Sequence, residues 1–121
     1  VGERLSGVID FYFACTDFLA YDLAVCLNAW CFEGERVYSA ARGHAMIAAY
    51  ERVRPLSDAE REALPGLARG AALRFFATRL ADWSTTPAGA LVKPKDPLEY
   101  ADKLAFHRAA ARASDYGVES R

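Results

Sequence analysis

Long apolar runs are missing from these 121 residues. None approaches the roughly 20 consecutive residues that span a bilayer, so no membrane partner is expected. Charge of one sign is missing as well. Fifteen Lys and Arg stand against sixteen Asp and Glu, giving a net charge of -1 and a pI near 6.1. That balance offers no counterpart to nucleic acid or to an anionic lipid surface. No basic stretch leads into an apolar one, so no secretory signal is expected and the cytoplasm is the expected location. Cysteine is scarce and odd in number: Cys15, Cys26 and Cys31 form no C-x-x-C and have no histidine nearby. A zinc site and a disulfide framework are both disfavoured, and buried reduced thiols are expected. Internal repeats and low-complexity tracts are absent. An initiator methionine is absent too, since the chain opens on Val1, in keeping with a piece processed or excised from something longer.

What is present is a domain-sized chain, 53% hydrophobic and 26% charged, which reads as globular. One strand is expected, in "RLSGVIDFYF", where Leu5, Val8, Ile9, Phe11, Tyr12 and Phe13 are aliphatic, β-branched or aromatic. No hairpin partner for it is evident, so its neighbours are expected outside the chain.

The remainder has helical periodicity, about five helices in all. Leu23, Leu27 and Trp30 share a face over Tyr21 to Cys31. Arg36 to Arg52 carries an alanine-rich stripe at Val37, Ala40, Ala41, Ala45, Ala48 and Ala49. "SDAE", Ser57 to Glu60, is a capping box that starts a short helix. Pro65 is expected to open the next helix, with Leu73, Phe76, Leu80 and Trp83 on one face. "STTPAGALVKPKDP" reads as a loop, Pro97 as the start of a last helix, and "DYGVESR" as a frayed tail. Trp30 and Trp83 are expected in the core, with a pocket wall as the alternative, His107 in a structural or exposed role, and Arg52, Arg54, Glu60, Arg61 and Glu62 as solvated charge.

Three aspartates, Asp10, Asp17 and Asp22, follow one another in "GVIDFYFACTDFLAYDLA". A carboxylate at the end of a buried strand is poorly placed for stability and well placed to hold a hard cation such as Mg²⁺, which prefers oxygen ligands. A strand-ending turn aspartate is the alternative for Asp10.

The same stretch resembles the metal-binding segment of the aminoglycoside/choline kinase-like superfamily: a strand ending in I-D-F, an acidic loop, then D-L-A opening a helix. Within that superfamily "LNAWCF", "ALRFFATRLADW" and "KDPLEYADKLAFHR" are similar, in the same order, to bacterial homoserine kinases. The resemblance implies a mainly α fold, the helical C-lobe portion of a protein-kinase-like α+β fold, occupying residues 1–121 as a single incomplete domain. It implies ATP and homoserine as the partners of the intact enzyme, Mg²⁺ as the cofactor, and threonine biosynthesis as the setting. Asp10 matches the metal-holding aspartate. Asp22 matches the D-L-A aspartate, whose task is structural. Asp17 lies between them and could face the cleft or solvent.

The family's catalytic loop, H-x-D-x-x-x-x-N, has no match around His44 or His107. The catalytic base, the glycine-rich loop and the strand lysine are therefore expected in a missing N-terminal portion, and the isolated chain is expected to be inactive. For the acceptor, Arg79 or Arg74 is a candidate clamp for the substrate carboxylate, with Asp82 or Asp17 for its ammonium. Arg79 and Asp82, one turn apart, could equally form a plain surface ion pair. Two other readings remain: a kinase for a different amino alcohol or sugar, and a non-catalytic helical binding module of the same fold.

Overall fold

A computed structural model describes residues 4–34 and 36–118. The expected mainly α character is present in four helices: α1 (Leu19–Trp30), α2 (Ala40–Glu51), α3 (Asp58–Thr85) and α4 (Leu98–Ala109), followed by a 3-10 turn, Ala113–Tyr116. Two short strands lie between α1 and α2. These are β1 (Phe32–Glu33) and β2 (Val37–Tyr38), antiparallel, with Phe32 opposite Tyr38. Among the described residues no helix is long and apolar enough to cross a membrane.

The strand expected in the opening residues does not form. Residues 4–18 carry no regular ladder, and Leu5, Ile9, Tyr12 and Phe13 are exposed. Their side chains suit a strand, but a strand also needs a neighbouring edge for its N–H and C=O groups. The one sheet among the described residues is the β1–β2 pair.

Helix α3 organises the rest. Its 28 residues extend about 42 Å, and it packs against α1 and α4. The capping box at its start is formed: the Glu60 N–H donates to Ser57 Oγ at 3.2 Å, and the Ser57 N–H donates to Glu60 Oε2 at 2.9 Å. The second helix expected to open at Pro65 is not separate, because Pro65 lies inside α3. An interior proline removes one helical hydrogen bond and costs ~3 kcal/mol. Burial on both sides offsets it, for Leu64, Ala68, Ala71 and Ala72 are all inaccessible. These join Ala20, Leu23, Ala24 and Leu27 of α1, Ile47 of α2, and Leu56, Tyr116 and Val118 in the core. The expected fraying of the tail therefore does not hold through Val118; residues 119–121 lie outside the described set.

Helix α2 starts at Ala40 rather than Arg36 because β2 intervenes. Its buried residues are Gly43 and Ile47, while Ala40, Ala41 and Ala45 of the expected stripe are exposed. A Cβ on Gly43 would stand 2.1 Å from the Tyr38 hydroxyl and 2.4 Å from the Tyr116 carbonyl oxygen. Tyr38 donates that hydroxyl to the Tyr116 carbonyl at 3.0 Å, so the glycine lets α2 lie directly under the bond.

Neither tryptophan is in the core. Trp30 is 67% and Trp83 55% exposed, and Leu73 and Leu80 on the same α3 face are exposed too. Periodicity identifies residues that share a face; it does not say which face is covered. The cysteines also divide, Cys31 buried, Cys26 half-buried and Cys15 exposed, and all three are free thiols. The charges read as solvated include two tight pairs. Arg54 grips Glu60 with two nitrogens, and Arg61 pairs with Glu51 across α2 and α3. The Arg54 hydrogen bonds, then those from Ser57, hold the Glu60 carboxyl down at about 2.

Candidate functional site

Asp10 is exposed and has φ +72°, the left-handed region, alone among the described non-glycine residues. Aspartate tolerates that conformation better than most side chains, still at a cost. A turn follows, in which the Ala14 N–H donates to the Phe11 carbonyl at 3.0 Å. Asp17 is exposed, and its Oδ1 accepts from the Phe18 N–H at 2.7 Å just ahead of α1. Asp22 is exposed in the first turn of α1, where a carboxylate meets the positive end of the helix dipole. Among the described residues no group of three or more His, Cys, Asp or Glu is gathered around a metal-sized space. Asp10 on its own brings a single accessible carboxylate. That is the right kind of donor for Mg²⁺, which commonly takes one or two carboxylates and fills its shell with phosphate and water.

A second arrangement lies at the other end of α1. An open cleft of about 450 Å³ is bounded by Val25 and Ala29 of α1, Phe75, Thr78, Arg79 and Asp82 of α3, Glu99, Tyr100 and Lys103 of α4, and Lys95 from the loop between α3 and α4. An adjoining hollow shares Arg79, Asp82 and Lys95 and continues to Lys93. The Phe75 and Tyr100 rings stack at 5.3 Å within the lining.

Arg79 and Asp82 are thus brought into one cleft, yet they do not pair. Arg79 donates instead to Glu99 Oε2 and, at 3.1 Å, to the Asp96 carbonyl. Arg74 is exposed outside the cleft lining, with its guanidinium 5.1 Å from the Phe75 ring centre. Asp17 is not among the lining residues either. The side chains that sequence reasoning missed are Glu99 and Lys103. Lys103 Nζ donates to Glu99 Oε1 at 2.6 Å and to the Asn28 carbonyl at 2.9 Å, and lies 4.5 Å from the Tyr100 ring centre. Arg79 lies over the same ring, also at 4.5 Å. Burial pushes the Glu99 carboxyl up, but the hydrogen bonds from Lys103 and Arg79 outweigh it and hold the group below the usual carboxylate range. The Glu-to-Lys spacing of one helical turn in "LEYADK" was a legible signal for that pair; its burial was not.

Behind the cleft is a fully buried polar chain. Asn28 Nδ2 donates to the Ala24 and Ala68 carbonyls, each at 3.0 Å, tying α1 to α3. His107 Nε2 lies 2.9 Å from Asn28 Oδ1, and His107 Nδ1 lies 2.8 Å from the Tyr116 hydroxyl. Burial first, then the charges of Lys103 and Arg69, push the His107 ring down to about 4. Burial, with Asp115 adding to it, pushes the Tyr116 phenol up to about 12. His107 is therefore structural, the first of its two expected roles.

Against this geometry stand the comparisons with known proteins. Residues 2–56 match the model of the phosphotransferase enzyme family, the part of the chain that holds Asp10, Asp17 and Asp22. At a finer level the chain is similar to proteins named homoserine kinase. It is 67% identical over 116 residues to that of Xanthobacter autotrophicus, covering 96% of this chain and 36% of the relative. It is 66% identical over 118 residues to that of Rhodospirillum rubrum, covering 98% and 37%, and 63% identical over 118 residues to that of Agrobacterium fabrum, covering 98% and 37%. The resemblance read from the motifs thus holds over nearly the whole chain. The chain spans little more than a third of the length of these curated relatives.

Proposed function

We propose that the chain is the helical C-terminal part of the C-lobe of an ATP-dependent homoserine kinase, a cytoplasmic enzyme of threonine biosynthesis. The observation that carries this reading is identity of 63–67% with homoserine kinases along almost every residue of the chain. In the intact enzyme the homoserine hydroxyl oxygen forms a bond to the γ-phosphorus of ATP, the bond to the β-phosphate oxygen breaks, and ADP leaves. The hydroxyl proton goes to a base outside these residues. Asp10 would hold Mg²⁺, which offsets phosphate charge when bound. Asp22 would support the start of α1 through its place at the helix N-terminus. Of the candidates for holding the acceptor, Arg79 and Asp82 share the wall of the α1–α3–α4 cleft, whereas Arg74 and Asp17 do not line it.

The test uses the full-length protein that contains this chain. With Mg·ATP, ADP should form in a homoserine-dependent way, and mass spectrometry should find O-phosphohomoserine. Faster turnover with another amino alcohol or a sugar would keep the kinase and change the acceptor. ADP formation that responds to none of them would overturn the proposal.

A further inference from the structure

Helix α3 buries one face, at Leu64, Ala68, Ala71 and Ala72, and leaves the opposite face bare. On that bare face Gly66, Gly70, Leu73, Ala77, Leu80 and Ser84 follow one another in alternating steps of four and three residues, the period of a two-helix seam. All six are exposed, and no charged residue is among them. A Cβ added to Gly66 or Gly70 would meet nothing within 4 Å. Glycine weakens a helix interior, and nothing described lies close enough to either position to require it. Ser84, the one hydroxyl of the seam, donates from Oγ to the Ala81 carbonyl at 2.8 Å and so needs no water.

The order of sizes along the seam suits a copy of itself. Turned end for end at the level of Phe75, the seam sets Leu80 against Gly70 of the second copy, Leu73 against Ala77, and Gly66 against Ser84. Each leucine then meets a small residue, the alternation that lets facing layers interdigitate. Along one edge Phe76 meets its own counterpart, and the exposed Trp83 ring lies opposite the exposed Arg69, a cation beside an aromatic face. Along the other edge Arg74 would face its own counterpart, but its guanidinium lies over the Phe75 ring, away from the seam. We propose that α3 pairs antiparallel with the α3 of a second copy of this protein along Gly66–Ser84, with the two glycines letting the helices approach closely. The seam is one helix wide and ~27 Å long, narrow beside the ~800 Å² per partner of a standard interface, so the dimer should dissociate on dilution. It lies away from the cleft residues Phe75, Arg79 and Asp82, and it does not depend on the proposed function.

Sedimentation velocity on the full-length protein, over a wide range of concentration, tests it. The wild type should pass from monomer to dimer as concentration rises. Ala77→Glu and Ala77→Lys each place a charge beside its own counterpart near the two-fold axis. Each alone should stay monomeric, and the two mixed should dimerise again. Gly70→Ala fills the space opposite Leu80 and should weaken the dimer ~10-fold or more, while keeping the fold, because alanine favours the helix. A wild type that stays monomeric overturns the proposal. In that case a Gly70→Ala protein that melts above wild type shows the face in solvent, and one that melts below shows it covered by another part of the same polypeptide. A dimer that survives both Ala77 charges places the interface elsewhere and overturns the proposal as well.

Discussion

His107 and Asn28 meet across the α1–α4 interface, ring Nε2 to amide Oδ1 at 2.9 Å. The contact determines the proton on the ring. Both Asn28 N–H groups are used on the Ala24 and Ala68 carbonyls, so Oδ1 is an acceptor and His107 Nε2 must carry a hydrogen. Nδ1 is then free to accept from the Tyr116 hydroxyl. A neutral ring with one donor and one acceptor satisfies the whole chain; a charged ring would confront Tyr116 with a second donor.

That arrangement gives a pH dependence of known sign. The folded-state value of His107 is about 4, below the ordinary 6.5, so between those values the unfolded chain binds the extra proton. The contribution is fully present above pH 6.5 and is lost as the pH falls through 4. It amounts to on the order of 3 kcal/mol. Urea unfolding from pH 7 to pH 4 should show this loss in the wild type and a flatter profile in His107→Gln. Parallel profiles would mean the ring is not held neutral.

Glu99 lies between two cations, with none of the three side chains more than 14% exposed, and its removal leaves both without a counter-charge. Breaking a buried pair from one side costs ~3–5 kcal/mol. Glu99→Gln should therefore lower the unfolding free energy by several kcal/mol. Arg36→Ala, which removes only an exposed pair with Asp102, should cost ~0–1 kcal/mol. Similar costs for the two variants would show that the Glu99 pair is solvated.

The contrast between those pairs marks how far the sequence could be read. Helix type and the Ser57–Glu60 capping box depend on local spacing and were legible, whereas α1 begins at Leu19, three residues ahead of the D-L-A expected to open it. What failed was the choice of buried face. On α4 the buried positions are Tyr100, Lys103 and His107, so a charged and a titratable residue occupy the core side. On α3, Leu73, Leu80 and Trp83 are exposed, while Phe75 and Arg79 face the cleft. Apolar periodicity cannot find a face whose polar groups are satisfied by partners far along the chain, as Lys103 is by Asn28. The site divides in the same way: Arg79 and Asp82 share one helix, whereas the burial of Glu99 and Lys103 and their meeting with Arg79 and Lys95 in one cleft come only from tertiary contact.

Gly43 offers a steric test of the α2 packing. An added methyl would overlap the Tyr38 hydroxyl and the Tyr116 carbonyl oxygen, and the second of these is backbone that cannot rotate away. Overpacking of this kind costs ~1–3 kcal/mol. Gly43→Ala should lower Tm, although alanine is the better helix former by ~1 kcal/mol. A raised Tm would mean that α2 can shift outward freely.

The 121-residue chain alone should have no kinase turnover. Under the proposed function it supplies a metal-binding carboxylate and an acceptor cleft, without a catalytic base or a phosphate-covering loop, and such groups act as a unit. Homoserine-stimulated ADP release by the pure chain would contradict the assignment.

Asp10 and Asp22 should separate by the kind of defect they cause. Asp10→Asn in the full-length protein removes one charge from the Mg²⁺ position with almost no change in volume. The side chain is exposed, and asparagine tolerates left-handed backbone as well as aspartate does, so the fold should be unaffected. The loss of kcat should be at least ~10²-fold, as for other electrostatic contacts strengthened in the transition state. Asp22→Asn removes a charge from the first turn of α1, a contribution of ~0.3–1 kcal/mol from the helix dipole. Its effect should therefore appear first as a small fall in Tm. Steady-state kinetics at saturating Mg·ATP, paired with thermal melts of the same samples, distinguish the two. If Asp10→Asn keeps near wild-type kcat, or if its loss of rate merely follows a loss of Tm, Asp10 does not hold the metal.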